Sequence, residues 1–162
     1  MTSTRGPYQA LAGRLEQILQ DVDRVVQRMD QLLAKSRKTG DDGYLDGVAL
    51  NLHSFYAGME SCFEDIARTV DGGLPAGANW HQELLQQMAA DMKELRPPVI
   101  RRKTRDCLNE YRAFRHLVRN IYAFNLKPDR LEELADNAVD CFTSTSQDIN
   151  DFIHFLRELD SI

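Results

Sequence analysis

From Tyr8 the apolar residues fall at Leu11, Leu15, Ile18, Val22, Val25, Met29 and Leu32, in alternating steps of three and four. That spacing is a heptad seam and predicts a first long helix. Leu19, Val26 and Leu33 widen the stripe from a two-helix seam to a bundle face. Pro7 suits the first helical turn, where its missing N–H costs nothing. Gly40-Asp41-Asp42-Gly43 then ends the pattern.

The same spacing returns at Leu45, Val48, Leu52, Phe55, Met59, Cys62, Ile66 and Val70, predicting a second helix from about Tyr44 to Val70. Gly47 and Gly58 interrupt it at a cost of roughly 1 kcal/mol each against Ala, as close helix approach would require. A loop follows from Asp71 to Gly77. Asn79 is placed to cap a third helix, with Gln82 completing a capping box, and Arg96-Pro97-Pro98 is expected to stop it. A fourth helix is expected over Thr104–Phe124. A fifth is expected from Pro128 through Ile149, Phe152 and Leu156. Five helices with short connections predict an all-α, up-and-down bundle, read as one domain over residues 1–162, with no strand.

Composition narrows the class further. Hydrophobic residues at 43% supply a core, and 28% charged residues with a net charge of −5 fit a soluble chain. No apolar run reaches membrane-spanning length, and Met1 to Gln9 carries no secretory h-region, so a cytoplasmic protein is expected. Three widely spaced cysteines (Cys62, Cys107 and Cys141) predict buried thiols in a reducing compartment and no disulfide framework.

Charge is unevenly spread. Residues 93–130 hold eleven of the twenty Lys and Arg against four acids, a segment of +7 in a chain whose remainder is −12. At 100° per residue, Arg105, Arg112, Arg115, His116 and Arg119 occupy one arc of about 100° on the fourth helix. Guanidinium forks match phosphate oxygens, so this arc is a candidate RNA track. Pairing of the same arginines with acidic faces of the second and fifth helices is the alternative.

The stretch Arg112-Ala-Phe-Arg115-His116-Leu-Val-Arg119-Asn120-Ile-Tyr122 resembles the motif of the HEPN superfamily (higher eukaryotes and prokaryotes nucleotide-binding), in particular its HepT-like toxins. The hallmark there is an Arg, a polar residue, spacers, a His and often a Tyr on a late helix of an all-α bundle. Arg115 matches the Arg, His116 the polar position and Tyr122 the terminal Tyr; Asn120 stands where the common pattern has His. The resemblance extends to Leu50–Glu60 and Asn79-Trp80-His81-Gln82, and spans about Leu45 to Leu156.

What the resemblance implies is a metal-independent endoribonuclease toxin, active as a homodimer with a shared cleft. Its antitoxin would be a minimal nucleotidyltransferase that adds AMP to Tyr122. In that scheme Arg115, His116 and Asn120 form the catalytic set. Arg115 stabilises charge on the scissile phosphate, His116 moves the proton, and Asn120 orients the phosphate or ribose. Arg105, Arg112 and Arg119 hold the RNA backbone. Asn can neither take nor give the proton that metal-free cleavage moves, whereas an imidazole can do both. A catalytically degenerate bundle that binds RNA, nucleotide or a partner protein is the alternative, and a purely structural helical adaptor a third reading.

Other chemistry has less in its favour. Asp151-Phe-Ile-His154 is a single carboxylate–histidine spacing, and no Glu-x-x-His pair for a di-iron bundle occurs. Neither a metal nor any other cofactor is expected. Glu60 and Glu64 read as a solvated helix face, His53 and His81 as structural, and Trp80 as a core plug. The cysteines lie on or near apolar stripes and predict no thiol catalysis.

Overall fold

The computed structural model describes residues 6–118 and 126–159. Its helices are α1 (Gly6–Thr39), α2 (Tyr44–Ile66), α3 (Trp80–Ala89), α4 (Arg102–Val118) and α5 (Pro128–Leu159). The five-helix, all-α bundle expected from the spacing is the observed fold. Among the described residues there is no strand, only an isolated bridge between Met92 and Arg96. No described helix is long and apolar enough to cross a membrane.

The apolar stripes of α1, α2 and α5 close on one another around Leu15, Leu52, Phe55, Met59, Ala138, Ile149 and Leu156, all fully or almost fully buried. Phe55 sits at the centre, its ring edge-on to Tyr111 of α4 at 5.0 Å between centroids. The Tyr111 hydroxyl is satisfied by donating to the Leu134 carbonyl at 2.7 Å. Both glycines of α2 mark close approach to α1. A Cβ on Gly47 would stand 2.8 Å from Leu32 Cδ1, and one on Gly58 would run into Val22 Cγ2.

Two boundaries depart from the sequence expectations, and a third falls outside the described residues. Helix α2 does not run as a regular helix to Val70; it loosens over Ala67–Asp71 into a wider, π-type turn that ends at Gly72 with φ +89°. Helix α3 stops at Ala89, well before Arg96, because Arg96 needs the carbonyls that a continuing helix would use. The buried Arg96 guanidinium donates to Gln87 O, Ala90 O and Pro97 O, and forks onto Asp71 through Nε (2.6 Å) and Nη2 (2.8 Å). Asp71 is delivered to it by the π-type turn, so the end of α2 and the end of α3 are clasped by one desolvated ion pair. Helix α4 is described only to Val118, so the expected stretch to Phe124 lies outside the described residues.

Cysteine pairing is a correction. Cys107 and Cys141 form a disulfide between α4 and α5 with Cα atoms 5.9 Å apart, and only Cys62 is a free thiol. The apolar stripes of the two helices face each other, which brings these side chains together across 34 residues. Cysteine usage therefore gives no argument for a reducing compartment.

Candidate functional site

Helix α4 points Leu108, Tyr111 and Phe114 into the core, which turns Arg112, Arg115 and His116 toward the N-terminus of α3. The α3 side of the same cleft is built by Ala78, Asn79, His81 and Gln82, and the cleft encloses about 190 Å³. Asn79 makes no side-chain cap bond to α3, contrary to the capping-box expectation; it lines the cleft. Trp80 is half-buried against the core and stacks on the His81 ring, with centroids 3.7 Å apart.

Behind two of the cleft residues, His81 and Arg115, lies Glu60, on α2. It is only 4% exposed, so the expectation of a solvated face fails at this residue. Its two carboxylate oxygens are divided between two partners. Arg115 Nη1 donates to Oε1 at 2.8 Å, and His81 Nδ1 lies 2.7 Å from Oε2. A buried carboxylate is tolerable only when paired in this way. Burial, and next the Glu60 charge, push the neighbouring Tyr56 phenol far above its usual range, so it stays protonated. Among the described residues neither the Tyr56 hydroxyl nor Arg115 Nε has a hydrogen-bond partner.

The structure thus brings together Arg112, Arg115 and His116 from the predicted arc and adds His81, which was expected to be structural. His116 is exposed on the cleft wall, and Arg112 Nε bonds back to Asn109 on its own helix at 2.8 Å. Arg105 does not reach this cleft. It pairs with Asp106 at 3.1 Å and lines an adjoining groove that shares Gln82 with the cleft. Of the arc, Arg115 does pair with an acid of α2, Glu60, while the pair with α5, Arg101–Asp148, uses an arginine outside the arc. Arg119, Asn120 and Tyr122 lie outside the described residues. No cluster of three His, Cys, Asp or Glu suited to a metal ion occurs among the described residues.

Spacing carried no signal for Glu60. Its partners are 21 and 55 residues away, and an i, i+4 glutamate pair is the ordinary pattern of a wet surface. Comparison with known proteins adds one finding: a family described as HepT-like protein matches residues 47–156, well over half of the chain and the whole of the cleft. No curated protein and no solved structure matches.

Proposed function

The chain belongs to the HepT-like protein family, and on that premise we propose that it is a metal-independent endoribonuclease toxin of the HEPN type. The observation that carries the reading is the convergence of Arg112, Arg115 and His116 on one open, polar cleft. Two guanidinium groups suit a phosphodiester, and an exposed imidazole beside them suits proton transfer. Arg115 stabilises the charge that gathers on the scissile phosphate. His116 exchanges a proton with the 2′- or 5′-oxygen, and Asn120 orients the phosphate or ribose. Arg112 and Arg119 hold the flanking backbone, and Arg105 extends the track along the adjoining groove.

The toxin acts as a homodimer in the cytoplasm, and the cognate antitoxin is a minimal nucleotidyltransferase that adds AMP to Tyr122. A phosphate there competes with RNA for Arg115 and Arg119. Co-expression with that enzyme adds AMP mass to the wild type and none to Tyr122→Phe.

The deciding experiment incubates the purified chain with labelled RNA in EDTA. Cleavage leaving 2′,3′-cyclic phosphate ends is expected. Arg115→Ala and His116→Ala each lower the rate by about 10²–10⁴, and Asn120→Ala by less. Binding without cleavage supports the second reading, a degenerate binding module, which Asn120 in place of His favours.

A further inference from the structure

We propose that His81 is a second proton-transfer residue of this cleft, set in position by Glu60, and that it works with His116 as an acid–base pair on the phosphodiester of RNA. The proposal rests on the ribonuclease reading above and supplies what that reading lacks. Metal-free cleavage of RNA moves two protons: one leaves the 2′-OH as its oxygen attacks phosphorus, and one reaches the 5′-oxygen as the P–O5′ bond breaks. The products are a 2′,3′-cyclic phosphate and a 5′-hydroxyl, with no net gain or loss of protons. The motif helix carries one imidazole, His116, and Asn120 exchanges no proton. Within one chain the second group comes from another element, and α3 brings His81 to the same cleft.

The position of His81 is built. Leu84, Leu85 and Met88 seat α3 in the core, and the Arg96–Asp71 clasp fixes its far end to α2. Glu60 then sets the ring. With Nδ1–H donated to Oε2 at 2.7 Å, the second ring nitrogen, Nε2, is the one that exchanges a proton with a ligand. The other oxygen of the same carboxylate holds Arg115, whose Nη1 is 3.4 Å from His81 Nδ1. A phosphate held by the Arg115 guanidinium therefore lies beside the His81 ring. A buried Glu–Arg pair needs no imidazole for its own stability, yet His81 keeps 27% of its side chain open while Glu60 keeps 5%. The charged and titratable groups facing His81 are Glu60 from α2, backed by the Tyr56 phenol, and Arg112, Arg115 and His116 from α4.

The full chain is tested on labelled RNA in EDTA across pH 5–9, together with binding of a 2′-O-methyl RNA that has no proton to lose. The expected result is a bell-shaped wild-type profile. His81→Gln cuts cleavage by about 100-fold or more, keeps 2′-O-methyl RNA binding within about twofold, and loses one limb of the bell. Glu60→Gln, which still offers an acceptor to Nδ1–H but no charge, gives a smaller loss and shifts that same limb. His81→Ala recovers cleavage when imidazole is added to the buffer, an effect that a merely structural role does not produce. If the wild type cleaves and His81→Gln cleaves with an unchanged bell, His81 is excluded and the ribonuclease reading stands. If the wild type cleaves no RNA, both fall.

Discussion

Arg115 Nη1 and His81 Nδ1 lie 3.4 Å apart, a separation at which a guanidinium and an imidazole N–H repel unless a shared acceptor holds both. Glu60 is that acceptor, and its carboxylate is almost fully buried between them. Removing it leaves a largely buried cation without its counter-charge. Glu60→Ala is expected to cost about 3 kcal/mol, the lower end for breaking a buried pair because the cleft admits water to one side. For a chain of this length that lowers Tm by roughly 6–12 °C. The double variant Glu60→Ala/Arg115→Ala should cost less than the sum of the two singles, and additive losses in thermal melts would show that the pair is not coupled.

The two glycines of α2 look alike in the sequence and differ in the fold. At Gly47 an added methyl meets the end of the flexible Leu32 side chain; at Gly58 it meets Val22, a β-branched residue with little rotamer freedom, 3% exposed. Replacing either Gly gains about 1 kcal/mol of helix propensity, and overpacking costs about 1–3 kcal/mol where nothing yields. Gly47→Ala should therefore be neutral or stabilising and Gly58→Ala destabilising. Denaturant melts check the pair of signs, and Val22→Ala should relieve the Gly58→Ala penalty.

The repeating steps of three and four were enough to read five helices, because burial of a stripe is a local periodic demand; that the glycines of α2 approach α1 came from the structure. Glu60, Arg96 and the cysteines escaped that logic. Each is decided by a partner distant in sequence: His81 and Arg115 for Glu60, Asp71 for Arg96, and Cys141 for Cys107. The early end of α3 follows from the same cause, since carbonyls drawn to a buried guanidinium are lost to the helix. The arginine arc on α4 was legible from helical geometry, but not its division into a cleft with Arg112 and Arg115 and a side groove with Arg105.

Thiol counting tests the cysteine arrangement. Burial pushes the Cys62 thiol up to about 12, so almost no thiolate is present at neutral pH. The native protein is expected to react slowly with thiol reagents, the denatured unreduced protein to show one thiol, and the denatured reduced protein three. Closing a loop across 34 residues stabilises the native state by about 4 kcal/mol in the chain-entropy account. Reduction should lower Tm without altering the helical spectrum. Three thiols in the unreduced denatured chain would refute the bridge.

Acid should weaken the bundle through Asp65. Its carboxyl is held below the usual carboxylate range chiefly by the hydrogen bonds from Arg14, which reach it at 2.7 and 2.9 Å and tie α1 to α2. A group whose folded pKa is depressed contributes its stability above the unfolded value, near 3.9, and loses it as pH falls through the folded value. Asp136 is lowered in the same direction by Arg37, but it lies more in the open, where salt screens the pair. The two separate by ionic strength. Between pH 6 and pH 2 the melting temperature of Asp65→Asn should fall less than that of the wild type, and the difference should survive 0.5 M salt. Asp136→Asn should show a smaller difference that salt removes. Identical acid limbs for Asp65→Asn and wild type would mean that the Arg14 contact does not bias the fold.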